Sequence, residues 1–137
     1  MKDDAWTLRG GREIVDLHAF FQDWFRGEAD ASAFGRLDAA LADEFVIITP
    51  QGRSVRRSGI IEGVRSQYGC DPQASLAIRG VTLQEACESM AVLTYEEWQG
   101  RYGQPATGRL STVVFGVREQ APHGLVWLHV HETWLPQ

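Results

Sequence analysis

The 137-residue chain has the size of one ordinary domain, and its 44% hydrophobic and 23% charged residues are typical of a globular protein rather than a disordered one. Its formal net charge of −5 at pH 7 disfavours nucleic acid as a partner, because phosphate groups repel an acidic surface. We therefore expect residues 1–137 to form a single domain whose core spans about residues 10–135.

The first half of the chain alternates helical patterns with one short strand. Apolar residues within 11–26 recur at i, i+3, i+4 and i+7, which predicts an α-helix that ends at Gly27. A second, shorter helix is predicted over residues 32–42. A β-branched run and a Pro-Gln-Gly turn within 45–52 predict a strand, and residues 58–67 have the apolar spacing of a third helix.

The second half of the chain favours strands throughout. Four strands are predicted, over about residues 75–85, 89–99, 109–118 and 125–135, with glycines and prolines in the two later gaps. Short connections between long successive strands indicate an antiparallel meander. Helices followed by a run of strands are typical of an α+β fold.

Both faces of the predicted sheet are apolar. In the last strand Leu128 and Val130 share one face, whereas strict alternation puts Trp127 on the other. Because the helices can cover only one face, we expect the outer face to meet a second copy of the chain and form a homodimer.

Two stretches, residues 45–52 and 124–131, resemble the first strand and turn and the closing strand of the nuclear transport factor 2-like superfamily. That group includes ketosteroid isomerase, SnoaL-type cyclases and the association domain of calcium/calmodulin-dependent kinase II. The likeness covers about residues 10–135. It implies a cystatin-like cone, in which three N-terminal helices pack on a curved, mostly antiparallel sheet around a pocket.

The resemblance also implies which strand residues face this pocket. The expected inward set is Thr94, Glu96, Trp98, Val130, Glu132 and Trp134. Tyr95 is placed beside Glu96 as a further polar group, and the helical aromatic residues Trp24 and Phe25 are expected to complete the lining. The remaining residues of the last strand, Trp127, His129, His131 and Thr133, are then expected on the partner surface.

Glu132 is the residue most suggestive of chemistry. A carboxylate between apolar neighbours has a raised pKa, which suits a general acid or base near neutral pH. With Tyr95 or Glu96 assisting, the site could isomerise, dehydrate or cyclise a small, largely apolar molecule. Alternatively, Glu132 pairs with an arginine or reaches solvent, and the domain is a non-catalytic dimerisation or ligand-sensing module with a side-chain-filled cavity.

Other functions find little support in the sequence. The kinase association domain lines its cavity with arginines, whereas the corresponding places here carry Thr94, Val114 and Trp134, so a carboxylate-binding site is not expected. His129 and His131 form an H-x-H pair that lacks an evident third ligand, so no metal is predicted. No nucleophile or dinucleotide-binding motif occurs, and no cofactor is expected.

The sequence also predicts where in the cell the protein is located. It shows no signal-peptide pattern and no run of apolar residues long enough for a membrane span. Its two cysteines, Cys70 and Cys87, are far apart and do not suggest a disulfide framework. We therefore expect a cytoplasmic protein that does not insert into a membrane.

Overall fold

The computed structural model describes residues 2–136, and its elements follow the order of an α+β fold. In this part of the chain a 3₁₀ turn over Ala31–Phe34 leads into the second of three helices. The helices are α1 (Lys2–Arg26), α2 (Gly35–Ala40) and α3 (Arg57–Ser66). The strands are β1 (Leu41–Ile48), β2 (Ser54–Arg56), β3 (Ser75–Ala86), β4 (Met90–Arg101), β5 (Gln104–Val117) and β6 (Leu125–Trp134). The predicted succession of helices and late strands is confirmed.

Helix α1 begins at Lys2 rather than at residue 11. The sequence prediction began the helix at residue 11, where the regular apolar spacing starts, and glycine does weaken a helix interior. In the structure Gly10 lies against the sheet, where an added Cβ would come within 2.8 Å of a Leu93 methyl carbon. The glycine therefore permits close approach of helix and sheet instead of ending the helix. Asp3, in the first turn, suits the positive end of the helix dipole.

The chain changes from helix α2 to strand β1 earlier than predicted. Helix α2 ends at Ala40, and Leu41 already has extended dihedral angles, so the expected helix over 32–42 is too long at its C-terminal end. The Arg57 side chain donates hydrogen bonds to the carbonyl oxygens of Asp38 and Leu41, at 2.9 and 3.3 Å. These bonds come from a residue that is distant in sequence, so the local pattern could not predict the boundary.

All six strands form one curved sheet with the order β2-β1-β6-β5-β4-β3. Strands β1 and β6 pair in parallel, and every other neighbouring pair is antiparallel. This agrees with the cystatin-like, mostly antiparallel sheet that the resemblance implied. The short edge strand β2, which pairs with β1, was not predicted as a separate strand.

Strand β6 contains a β-bulge that changes which side chains face inward. Phe115 of β5 lies opposite Trp127, and Val114 lies opposite His129, so Leu128 is the extra residue. Trp127 is consequently buried, and its ring meets that of Phe115 edge to face at 4.9 Å. The prediction that Trp127 lies on the outer face is wrong, because strict alternation fails across the bulge.

The core lies between α1 and the concave face of the sheet. Ile14 and Leu17 of α1 pack in the same buried cluster as Leu93, Val113 and Phe115 of the sheet. One face of the helix supplies these residues at helical spacing, as predicted. Within residues 2–136 no helix is both long enough and apolar enough to cross a membrane.

Candidate functional site

A cavity of about 300 Å³ opens between the helices and the concave face of the sheet. Its walls are mostly apolar side chains from α1, α3 and β1, including Phe21, Phe45 and Ile60. Its floor is formed by the sheet and is polar. The polar and charged lining residues are His18, Gln67, Tyr95, Glu97, Gln99, Arg101, Arg109 and Glu132. This combination of apolar walls and a few convergent polar groups is typical of a small-molecule site.

Four of the predicted site residues line this cavity. They are Tyr95, Val130 and Glu132 on the sheet and Phe25 on α1. Glu132 is 5% exposed, so it is the buried carboxylate that the sequence suggested. The structure therefore brings these four side chains together, although what they bind or catalyse stays a prediction.

Strand β4 faces the cavity with the opposite alternation from the one expected. Tyr95 and Glu97 are buried and line the cavity, whereas Thr94, Glu96 and Trp98 lie on the other face of the sheet. There Trp98 donates a hydrogen bond to Glu96, at 2.9 Å between Nε1 and Oε1. The expected inward set on β4 is thus wrong. Because strand side chains alternate with a period of two, a one-residue error in phase reverses all of them.

The two remaining aromatic residues do not line the cavity. Trp24 is buried in the core, where its indole N–H donates to the carbonyl oxygen of Val64 at 2.7 Å. Trp134 stacks over the guanidinium of Arg109 at 5.0 Å, but the residue is 45% exposed. Trp24 therefore packs in the core behind the cavity wall, and Trp134 stacks on Arg109 outside the cavity.

A buried ion pair joins helix α1 to the cavity floor. His18 Nδ1 donates to the carbonyl oxygen of Ile14 at 2.7 Å, and His18 Nε2 lies 3.0 Å from Glu97 Oε1. Burial lowers the pKa of His18, but the charge and hydrogen bond of Glu97 outweigh it and raise the pKa above 6.5. This shift favours the imidazolium form, in which both ring nitrogens donate to the carbonyl and carboxylate oxygens.

The other partner of the pair is held as a carboxylate. Burial raises the pKa of Glu97, but the charge and hydrogen bond of His18 and a hydrogen bond from Gln99 lower it to about 2. Gln99 Nε2 lies 2.6 Å from Glu97 Oε2, so each carboxylate oxygen accepts one hydrogen bond. Sequence analysis missed Glu97 and Gln99, although their shared strand face with Tyr95 would have revealed them.

A second pair of charges lies beside the first. Arg109 is the cross-strand neighbour of Glu97, and its Nη1 donates to Glu132 Oε1 at 2.9 Å. Burial raises the pKa of Glu132, and the Arg109 charge opposes this only in part, so the pKa stays above 4.5. The buried Nε of Arg109 and the hydroxyl of Ser111, next to Glu132 on the sheet, have no hydrogen-bond partner among the described residues.

Tyr95 lies two residues from Glu97 on the same face of β4 and remains a neutral phenol. Its ring meets the His18 ring edge to face at 5.6 Å. Burial raises its pKa well above 10, and the charges of Glu97 and Glu132 raise it further. The two ion pairs of the floor therefore balance in charge, and Arg101 adds a further cation to the lining, together with neutral hydrogen-bonding groups. Thr94, Val114 and Trp134, which occupy the places expected to correspond to the arginines of the kinase association domain, do not line the cavity, and the arginines that do, Arg101 and Arg109, were not predicted.

The conspicuous histidines of the last strand do not belong to this site. His131 is exposed and His129 is partly exposed, and neither lines the cavity. Among residues 2–136, no three His, Cys, Asp or Glu side chains stand close enough together to hold a metal ion. The chemistry of the described site therefore rests on carboxylates, arginines and the buried imidazole.

Comparison with known proteins relates residues 10–136 to the family described as Sucrose-6-phosphate phosphohydrolase C-terminal. Sucrose-phosphatase 1 of Nicotiana tabacum is 29% identical over 135 residues, which cover 90% of this chain and 30% of that protein. Probable sucrose-phosphatase 2 of Arabidopsis thaliana is 24% identical, with 93% of this chain and 31% of that protein covered. The chain thus spans about 30% of the length of the relatives it matches.

Solved structures share the fold over nearly the whole chain. A nuclear transport factor 2-like protein of unknown function from Pseudomonas aeruginosa is 31% identical, with 93% of this chain and 99% of that chain covered and a TM-score of 0.85. The calcium/calmodulin-dependent kinase II hub of S. rosetta is 11% identical, covers 98% of both chains and has a TM-score of 0.64. The nuclear transport factor 2-like, cystatin-like fold implied by the resemblance is therefore confirmed.

We predict that the His18–Glu97 pair gives a characteristic dependence of stability on pH. A raised His18 pKa stabilises the fold below pH 6.5 and loses this effect as the pH rises through the folded-state value. A lowered Glu97 pKa stabilises above pH 4.5 and loses its effect as the pH falls toward about 2. Glu97→Gln should therefore lower the free energy of unfolding by about 1.5–3 kcal/mol near pH 6, and by less above neutrality.

Urea denaturation of wild type and Glu97→Gln between pH 5 and 9 measures this difference. Glu13, whose pKa is also raised, has no contribution from Glu97 and cancels in the difference. The pKa of Glu132 should fall in the variant because the Glu97 charge is removed, which affects the difference at the acidic end of the range. Glu96→Gln, on the outer face of the same strand, is the matched control and should change little. A difference that does not vary with pH would contradict the assignment of a charged pair.

Proposed function

The chain belongs to the sucrose-6-phosphate phosphohydrolase C-terminal family, and we propose that its cavity binds a small, hydroxyl-rich molecule of the sugar class. One observation carries this proposal, namely the charge-balanced hydrogen-bonding floor of the cavity beneath apolar walls. The ligand expected from the sequence was largely apolar. The four charged groups of the floor instead favour a molecule that has both polar and apolar surfaces.

The polar groups suit hydroxyl ligands in particular. A carboxylate accepts hydrogen bonds from hydroxyl groups, and a guanidinium donates to hydroxyl oxygens. Glu132 uses one oxygen for Arg109, which leaves its other oxygen to accept a hydrogen bond from a ligand. Aromatic side chains such as Phe21 and Trp127 can cover the C–H faces of a sugar ring.

The charge balance favours a neutral sugar over an anionic one. His18 is paired with Glu97, and Arg109 is paired with Glu132, so neither of these ion pairs leaves a surplus cation for a phosphate group. The third cation of the lining, Arg101, lies at the edge that the cavity shares with the neighbouring cleft. The relatives are named sucrose-phosphatases, which is consistent with a sugar ligand. We assign only the binding of the sugar to this chain, and we place this binding in the cytoplasm.

A second candidate function, acid–base catalysis by Glu132, is favoured by a different observation. Burial raises the pKa of this carboxylate, so a larger share of it is protonated near neutral pH than in an ordinary glutamate. It lies in a ligand-sized cavity, as a general acid or base requires. The reaction would be a cofactor-free proton transfer such as an isomerisation, a dehydration or a cyclisation.

Self-association through the outer face of the sheet is the third part of the proposal. The half-buried or exposed apolar residues Val92, Leu110, Val114 and Leu128 lie on this face, which no helix within residues 2–136 covers. Structures that share the fold are named kinase hub and association domains. A homodimer would bury these side chains, and it is compatible with binding in the cavity on the opposite face.

We predict that wild-type protein binds glucose or fructose and that Glu132→Gln weakens this binding about tenfold. The substitution removes a charged acceptor and disturbs the Arg109 donor. A hydrogen bond to a charged group contributes about 1.5–3 kcal/mol. Isothermal titration calorimetry at millimolar sugar gives both affinities. Glu96→Gln, the same change on the outer face, should bind like wild type. Absence of binding to any monosaccharide would overturn the proposed function.

We predict that wild-type protein speeds the exchange of the α-hydrogens of dihydroxyacetone with D₂O if Glu132 acts as a base. The rate should rise with pH through the titration of Glu132, because only the carboxylate accepts a proton. Proton NMR follows the exchange. Glu132→Gln should be no faster than buffer, whereas Glu96→Gln should keep the rate. Equal rates for wild type and Glu132→Gln would reject catalysis and leave binding in place.

We predict that the protein is a dimer at micromolar concentration and that Val114→Arg raises the dimer dissociation constant about 100-fold. An arginine on the outer face would place an unpaired charge in the contact between the two sheets. Sedimentation velocity measures the mass of both proteins. Val15→Arg, on the exposed face of α1, makes the same change elsewhere and should remain dimeric. A monomeric wild type would refute the outer-face interface.

A further inference from the structure

A second cleft opens beside the cavity, and the function proposed above does not use it. Its volume is about 460 Å³. Five residues line both the cavity and the cleft, and we call them the doorway residues. These doorway residues are Phe25, Leu76, Gln67, Gln99 and Arg101. A molecule larger than the inner cavity could therefore extend from the cavity into the cleft past these five residues.

One wall of the cleft is the segment 67–75 between α3 and β3, and hydrogen bonds fix it to the end of α1. The amides of Gly69 and Asp71 donate to the carbonyl oxygens of Trp24 and Phe25, each at 3.0 Å. Arg26 Nε donates to the carbonyl oxygen of Ala74 at 2.7 Å. This wall is therefore tied to the same helix that supplies His18 to the cavity floor.

The opposite wall is the hairpin between β4 and β5. Arg101 pairs with Gln104 across the turn, and Gly103 adopts the positive φ of 73° that a glycine accommodates. Tyr102 stands at the tip with 76% of its surface exposed, although it lines the cleft. Because so little of the Tyr102 side chain is buried, it contributes little to the stability of the fold. Its flat ring is available to a ligand in the cleft.

The cleft differs chemically from the cavity because its lining is mostly polar. Asp71, Ser75 and Gln104 line it beyond the doorway. Within the doorway, Gln99 already donates to Glu97, which leaves its amide oxygen and second N–H for a ligand. Arg101 forms no ion pair with the described residues, so its guanidinium can donate to ligand oxygens. These donors and acceptors suit several hydroxyl groups.

We propose that this cleft is a second sugar subsite, so that the site as a whole takes a disaccharide. The first ring lies in the cavity on Glu132 and Arg109. The glycosidic linkage passes the doorway between Gln67, Gln99 and Arg101, and the second ring lies in the cleft against Tyr102. The inner cavity alone is at the small end of ligand-pocket volumes, whereas cavity and cleft together lie well within the usual range. This inference rests on the proposed function.

Calorimetry with glucose, fructose and sucrose tests the subsite. Sucrose should bind wild-type protein at least tenfold more tightly than either monosaccharide. Tyr102→Ala should weaken sucrose binding about tenfold and leave glucose and fructose unchanged, since a single ring occupies the inner cavity. Tyr102→Phe keeps the ring and should retain most of the sucrose affinity. Leu8→Ala, an exposed position on α1, is the control for surface substitution.

The outcomes separate the two claims. If glucose or fructose binds but sucrose binds no more tightly, the second subsite is overturned and the inner sugar site stands. The second subsite is likewise overturned if Tyr102→Ala weakens the binding of all three sugars equally. If none of the three sugars binds wild-type protein, the proposed function fails and the subsite fails with it. Circular dichroism of each variant shows whether the fold is kept.

Discussion

The buried ion pair between His18 and Glu97 is the interaction on which the site depends. Two charges removed from water are tolerated only when each has partners, and a lone buried charge costs several kcal/mol. His18 therefore also donates to Ile14, and Glu97 also accepts from Gln99. Because His18 lies on α1 and Glu97 on β4, the pair fixes the helix over the sheet and defines the cavity between them.

A second buried carboxylate has a comparable role deeper in the same layer. Glu13, fully buried on α1, accepts from Arg36 of α2 at 2.6 Å and from the indole N–H of Trp127 at 2.8 Å. Trp127 also lines the cavity, so Glu13 fixes the orientation of one cavity wall without touching the space inside. Helix α1 thus carries two buried ionisable residues, Glu13 for the wall and His18 for the floor.

The sequence predicted the kinds and order of the elements better than the side chains that face inward. Helix α1 was recognisable because its apolar residues repeat with a clear period, and the late strands were recognisable from the turn residues that separate them. Which side chains of β4 face inward was not recognisable, because the stretch Tyr95-Glu-Glu-Trp98 is polar and aromatic on both faces. The bulge at Leu128 was equally hidden, because it is defined by pairing with β5. Such features depend on neighbouring strands and not on local sequence.

Hydrogen-bonding capacity decides how the site can act. Both nitrogens of His18 and both oxygens of Glu97 are already engaged with protein, so this pair cannot readily pass protons to a ligand. Glu132 has one oxygen on Arg109, and a catalytic role would rest on it alone. Binding uses the remaining oxygen of Glu132 and the free positions of Gln99 at once. A binding role therefore accounts for more of the polar floor than catalysis does, and catalysis would be an addition to binding.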